Sequence, residues 1–126
     1  MSEPVFVALL LADKVITENN GKKCVIGTFT TFHALSFPVV FPPWQIYAAV
    51  TNLVGKHSFA LNLVNEESQV LVPISGDFDV KDLSIVVELD PLITGAVFPK
   101  AGTYTLSFFV DGSIMGSRVL KVELKT

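Results

Sequence analysis

The sequence predicts an all-β chain, an immunoglobulin-like antiparallel β-sandwich of seven or eight strands. Three observations carry that expectation. Short apolar segments recur about every ten residues between turn residues, the spacing of a sandwich or barrel. Apolar and polar residues alternate within them. Phe59, Leu61 and Leu63 oppose Ser58 and Asn62, and Tyr104, Leu106, Phe108 and Val110 oppose Thr103, Thr105 and Ser107. No window holds apolar residues at i, i+3, i+4 and i+7 over three turns without Gly, Pro or a β-branched run, so a helical reading fits poorly.

Each element follows in order. Val5–Leu11 is apolar on both faces and reads as a buried strand. Val15-Ile16 is a second piece leading to Asn19-Asn20-Gly21, and Asn-Gly favours a hairpin turn because both central positions need positive φ. Lys23–Phe32 is rich in Val, Ile, Thr and Phe, which suit a strand. His33–Pro43 contains Pro38, Pro42 and Pro43, so it cannot be a central strand and reads as a loop crossing between sheets. Trp44–Val54 and His57–Val64 are the next strands. Gln69–Ile74 holds Pro73 and belongs at an edge. Leu83–Leu89 alternates, with Leu83, Ile85, Val87 and Leu89 inward, and Pro91 ends it. A short helical turn fits Asp77–Asp82 or Leu92–Gly95.

Thr103–Val110 and Ile114–Leu124 flank Asp111-Gly112, a second tight-turn pair. The apolar parity of the last strand changes between Met115 and Leu120, which predicts a bulge near Gly116–Arg118. Phe98-Pro99-Lys100-Ala101-Gly102-Thr103-Tyr104 enters a strand as a tyrosine corner does. Gly102 would supply an unusual backbone angle there, and Tyr104 would return its hydroxyl to the backbone.

Ala12-Asp13, Gly21-Lys22-Lys23, Ile26-Gly27-Thr28-Phe29, Ser36-Phe37-Pro38, Phe98-Pro99, Gly102-Thr103-Tyr104 and Asp111-Gly112 form an ordered set over nearly the whole chain. In that set the chain resembles a family of small bacterial β-sandwich proteins known only as a domain of unknown function. Ala12 stands where such proteins often show a cysteine, so no role attaches to that position. The resemblance implies the fold and supplies no catalytic residue.

Composition bounds the function. The chain has 126 residues, half of them apolar and 17% charged. That suits a single domain over 1–126 with a core of its own. Nine basic residues against twelve acidic leave a net charge of −3, and only Lys22 and Lys23 adjoin. Nucleic-acid binding draws on clustered Lys and Arg, so nucleic acid is not an expected partner, and neither is an anionic membrane. One cysteine, Cys24, cannot form an internal disulfide. The chain starts with an acidic residue at Glu3 and an apolar run too short to span a bilayer, which needs about twenty residues. A cytoplasmic protein is expected.

Chemistry-bearing patterns are sparse. Cys24 with His33 or His57 is the one Cys/His set, and a cysteine inside an apolar strand usually packs as a small hydrophobe. No metal site is expected, because two histidines and one cysteine do not complete a zinc site. Asp77, Asp79 and Asp82 could offer oxygens to calcium, but they lack an EF-hand glycine and terminal glutamate and read as a solvated turn. Phosphate-cradling glycine motifs are missing, so no cofactor is expected. Glu66 and Glu67 adjoin beside a turn and cannot flank one bond.

Phe32, Phe37, Phe41, Trp44 and Tyr47 fall within sixteen residues, around a proline-rich loop. They either cap the end of the sandwich, the preferred reading, or form an exposed apolar patch. The two-sided apolar character of Val5–Leu11 and Ile114–Leu124 points to contact with another chain, as does a mean hydropathy of +0.55. The expected function is therefore a non-enzymatic interaction or assembly module, a homo-oligomer or bound to a protein partner. The alternative is a carbohydrate- or small-ligand-binding module with Phe41, Trp44 and Tyr47 as a stacking platform.

Overall fold

The computed structural model describes residues 3–125. Within them the chain forms twelve strands and no helix. In chain order these are β1 (Val5–Thr17), β2 (Lys23–Thr28), β3 (Thr31–Ala34), β4 (Val39–Val40), β5 (Trp44–Thr51), β6 (Gly55–Val64), β7 (Val70–Val80), β8 (Val87–Leu89), β9 (Leu92–Ile93), β10 (Val97–Phe98), β11 (Gly102–Val110) and β12 (Ser113–Leu124). Eight of them have four residues or more, and the other four are fragments of two or three. The first sheet has the order β2-β1-β5-β8, with β9 also on β5. The second has the order β3-β12-β11-β6-β7, and β10 pairs with β4 in a small ribbon.

Alternation explains why the two sheets close on one core. In β11, Tyr104, Leu106, Phe108 and Val110 are buried, while Thr105, Ser107 and Phe109 lie half-buried on the other face. The register pairs Leu106 with Leu63 and Phe108 with Leu61, so paired residues share the inner face. The first sheet answers with Leu9, Leu11, Ile46 and Val50, all in the same buried cluster. Burying each such side chain contributes about 1.5–3 kcal/mol. No polar or charged residue among those described is fully buried.

Several elements differ from the sequence reading. The first strand is one strand of thirteen residues, because Asp13-Lys14 does not break it. Gly27, in β2, lies opposite Asp13 between the pairs Ala12–Thr28 and Lys14–Ile26. Its φ is +71°, which strains residues other than glycine, and a Cβ there would also crowd the Asp13 carboxylate. Lys23–Phe32 is split. The chain leaves the first sheet after Thr28 and joins the second at Thr31, where β3 pairs parallel with β12. The proline-rich crossing segment carries the end of β3 and the two residues of β4.

Leu83 and Ile85 do not point inward; they are 45% and 43% exposed. Asp82 closes a turn there by accepting from Ser84 N at 2.8 Å, which holds Leu83–Val86 off the ladder and leaves only Val87–Leu89 as strand. Asp77–Val80 belongs to β7 and Leu92–Ile93 to β9, so neither site of the expected helical turn is helical. The edge strand with Pro73 is longer than expected and spans Val70–Val80.

The bulge of the last strand also sits earlier than expected. Phe108 pairs with Gly116 and Phe109 with Ile114, so Met115 is the inserted residue, and pairing from Gly116 to Val119 is unbroken. Gly116, next to the inserted residue, gives room to the Phe6 ring, which a Cβ there would approach to 3.0 Å. The shift places Gly116, Leu120 and Val122 on the inner face. Asp111-Gly112 forms the expected two-residue turn, with φ of +50° and +82°. The tyrosine corner is present: Tyr104 is buried, and its hydroxyl donates to the Lys100 carbonyl at 2.7 Å. Gly102 serves close approach there, since a Cβ would stand 2.6 Å from Glu66 Oε1, which accepts from Thr103 N.

Gly27→Ala is expected to destabilise the chain by about 1–3 kcal/mol through backbone strain and crowding. Chemical denaturation should show a lower midpoint at unchanged slope. Adding Asp13→Ala should recover part of the loss by removing the clash and leaving the strain.

Candidate functional site

The clustered aromatics form a plug. Trp44 is buried and stands edge-on to Phe29 at 6.0 Å and to Phe32 at 5.7 Å. Phe32 stacks on Phe41 at 4.1 Å, and Phe98 stands edge-on to Phe41 and Tyr104. Phe37 packs against the same core. The rings thus close the molecule where the chain crosses from the first sheet to the second, as the capping reading expects. Tyr47 does not join them. Neighbouring strand residues alternate, so Tyr47 lies on the outer face of β5 while Trp44 and Ile46 bracket the inner one. Its hydroxyl donates to Glu88 Oε2. Burial, and then the Glu88 hydrogen bond and charge, push its pKa up to about 12. Phe41, Trp44 and Tyr47 therefore share no surface.

A different group of polar residues comes together at the opposite rim. An open depression of about 620 Å³ is lined by Lys56, His57, Ser58, Asp77, Phe78, Asp79 and Asp111. β6 supplies His57 and Ser58, and the tight turn after β11 supplies Asp111. Ser58 N donates to Asp111 Oδ1 at 2.9 Å, and Asp111 N donates to the Ser58 carbonyl at 2.9 Å. These bonds extend the β6–β11 ladder by one pair and aim the carboxylate at the neighbouring imidazole.

His57 Nδ1 lies 2.7 Å from Asp111 Oδ2, and Nε2 lies 3.0 Å from the Val54 carbonyl. Both partners only accept, so satisfying both requires two ring N–H groups, that is, the imidazolium. The Asp111 hydrogen bond, then the Val54 hydrogen bond, raise the pKa of His57 above its ordinary 6.5. Asp111 is held below the usual carboxylate range by its bond from Ser58 N and then by His57. The Phe78 ring lies 5.8 Å from the imidazole, within reach of a cation–π contact. Chemically this is a clasp. Neither ring nitrogen is free to take a proton from a substrate, and the Ser58 hydroxyl is 3.5 Å from Asp111 rather than from the imidazole.

Other residues singled out in the sequence are dispersed. Cys24 is half-buried in β2 of the first sheet, whereas His33 and His57 lie in the second. His33 is exposed and stands 3.6 Å from Glu123. Asp77 and Asp79 line the depression, while Asp82 turns to Ser84, whose backbone bond lowers its pKa. No group of three His, Cys, Asp or Glu side chains among the described residues is placed to hold a metal ion. Glu66 binds Thr103 N, and Glu67 pairs with Lys100 at 3.1 Å. No helix among the described residues is long and apolar enough to cross a membrane. The clasp itself had no sequence signal, because its partners lie 54 residues apart and Asp111 reads only as a turn former.

Fold and rim together define a small all-β protein with an apolar core and a structural His–Asp clasp. Residues 7–123 match a family of unknown function, DUF6941, and the chain belongs to it. No curated protein matches the chain.

The clasp makes stability pH-dependent with a defined sign. The contribution of His57, whose pKa is raised, is full below 6.5 and lost as pH rises through the raised value. That of Asp111, whose pKa is lowered, is full above 3.8 and lost as pH falls through the lowered value. Melting temperature measured against pH should therefore decline on the alkaline side of 6.5, and the His57→Gln variant should lose that limb.

Proposed function

We propose that the chain is a non-enzymatic assembly module that associates with a second copy of itself through the end of the sandwich where β1 begins. One observation carries this reading: two runs of exposed apolar side chains meet there, whereas the other exposed hydrophobics are spread over the surface. Val5, Phe6 and Val7 are 51%, 42% and 46% exposed, and Leu83, Ile85 and Val86 are 43–45% exposed. Val5 pairs with Thr51, whose hydroxyl donates to the Ile85 carbonyl at 2.9 Å. Asn52 donates its backbone N–H to the Leu83 carbonyl and its side-chain amide to the Glu3 carbonyl. These bonds bring the start of β1 and the 83–86 segment to the same end of β5. Surface hydrophobics scattered singly would mean little, but two exposed apolar runs brought to one end of a strand suit a contact surface.

Charge favours a second copy as the occupant. Neither Pro4–Ala12 nor Leu83–Val87 contains a charged residue. Two copies apposed over these two segments bring no like charges of the segments together, and a highly charged partner would find no counter-charge within them. The rim depression supports the non-enzymatic part, because its histidine is fully engaged.

Sedimentation over a concentration series tests the reading. A mass that rises with concentration is the expected result, and Ile85→Asp should weaken association at least about tenfold, equivalent to about 1.4 kcal/mol. A mass that stays monomeric at every concentration would overturn it.

A further inference from the structure

We infer that His57 is a proton-operated latch on the apolar end, holding the 83–86 segment in place when the imidazole is charged and releasing it when neutral. This rests on the self-association reading for its consequence, though the latch itself has separate support in the bonding geometry. A continuous set of contacts joins the imidazole to that segment. His57 Nε2 donates to the carbonyl of Val54, in the turn between β5 and β6. That turn begins at Asn52, held at a φ of +69°, a conformation that non-glycine residues rarely adopt. Asn52 in turn donates to the Leu83 and Glu3 carbonyls, and Thr51 to that of Ile85. Asn52 thus makes two bonds to the apolar end and Thr51, the last residue of β5, a third, while the turn itself is held by Leu53 in the core and by His57 at the rim.

Removing one proton breaks this arrangement. A neutral imidazole has one N–H and faces two acceptors. If the proton stays on Nδ1 toward Asp111, the Nε2 lone pair faces the Val54 carbonyl oxygen at 3.0 Å, and the two repel. If it stays on Nε2, the Nδ1 lone pair faces the Asp111 carboxylate at 2.7 Å. The charged carboxylate is the stronger acceptor, so the Val54 bond is the one given up. The remaining charges around the ring are Lys56 on β6, Asp77 and Asp79 on β7, and Asp111 on the β11–β12 turn; the 52–54 turn carries none. The only cation among them is Lys56, so the surroundings favour the imidazolium. Release of Val54 removes the rim's hold on the backbone two residues from Asn52 and loosens the segment that carries Leu83, Ile85 and Val86, while Leu53 keeps the turn seated in the core. An association that needs the segment ordered must then weaken.

The test combines two readouts on the full chain between about pH 5.5 and pH 9, the range in which a raised histidine titrates. In NMR, the amides of Asn52, Leu83 and Ile85 should shift along the same titration curve as the His57 ring, and in His57→Gln they should not titrate in that range. In sedimentation, association should weaken roughly tenfold toward the alkaline end, a usual size for coupling between sites. His57→Gln should show the weaker association at every pH. Amides of Asn52, Leu83 and Ile85 that ignore the His57 titration would overturn the latch. A chain that is monomeric at all pH values, while those amides still follow His57, would overturn the self-association reading and leave the latch standing.

Discussion

Period-two alternation across β5, β6 and β11 is the constraint on which the rest of the molecule depends. It commits one row of each strand to a core shared by both sheets, and that core holds no fully buried polar or charged residue among those described. An interior of this kind has no desolvated acid, base or nucleophile to tune, because burying a polar group without a partner is costly. Chemistry and recognition are thereby pushed to the rims and outer faces. There the polar groups are largely paired with one another, as in Tyr47 with Glu88, Lys23 with Asp90 and His57 with Asp111.

Strand edges are the liability of such a design, and the first half of β1 is the exposed case. β2 pairs only from Ala12 onward, which leaves Val5–Leu11 without a ladder on that side. Three features blunt it. Arg118, the one arginine of the chain, donates from Nε to the Leu9 carbonyl at 2.6 Å across the seam between the sheets. Phe29 N donates to the Leu11 carbonyl as the chain crosses to the second sheet. A register shift between Phe6 and Ala8 kinks the remainder. Edge-to-edge pairing is thus discouraged along β1, while the side chains of Val5, Phe6 and Val7 remain exposed. The resulting surface suits side-chain packing better than strand addition.

Most of the fold was legible from residues whose local chemistry agrees with their tertiary surroundings. Tyr104, Leu106, Phe108 and Val110 alternate and are buried; Asp111-Gly112 asks for positive φ and has it. Pro73 marks an edge strand and lies on one. Failures arose where a side chain competed with the ladder. Leu83–Leu89 alternates as well as any strand, but the Asp82 carboxylate captures Ser84 and holds the first half as a turn. The parity change in β12 was legible. Its location was not, because the apolar residues change parity over the whole stretch from Met115 to Leu120 and the insertion falls at its start, at Met115. The ring plug around Trp44 could be read from the density of aromatics, and the strand starting at Trp44 already places Tyr47 on the opposite face by alternation. The clasp was invisible because neither His57 nor Asp111 carries a local signature of the other.

That invisibility has a physical origin in the turn. A two-residue turn with positive φ at both positions accepts Asn, Asp or Gly at its first place, so backbone geometry alone does not call for a carboxylate at 111. Asparagine would accept the Ser58 N–H equally well and satisfy the turn. What asparagine lacks is charge, and the one neighbour that distinguishes the two is the imidazole 2.7 Å away. With asparagine there, one side-chain oxygen would have to serve both Ser58 N and His57 Nδ1, and the imidazolium would lose its counter-charge. The aspartate therefore does more than turn the chain. It raises the pKa of His57, whose second ring nitrogen lies 3.0 Å from the Val54 carbonyl in the β5–β6 turn.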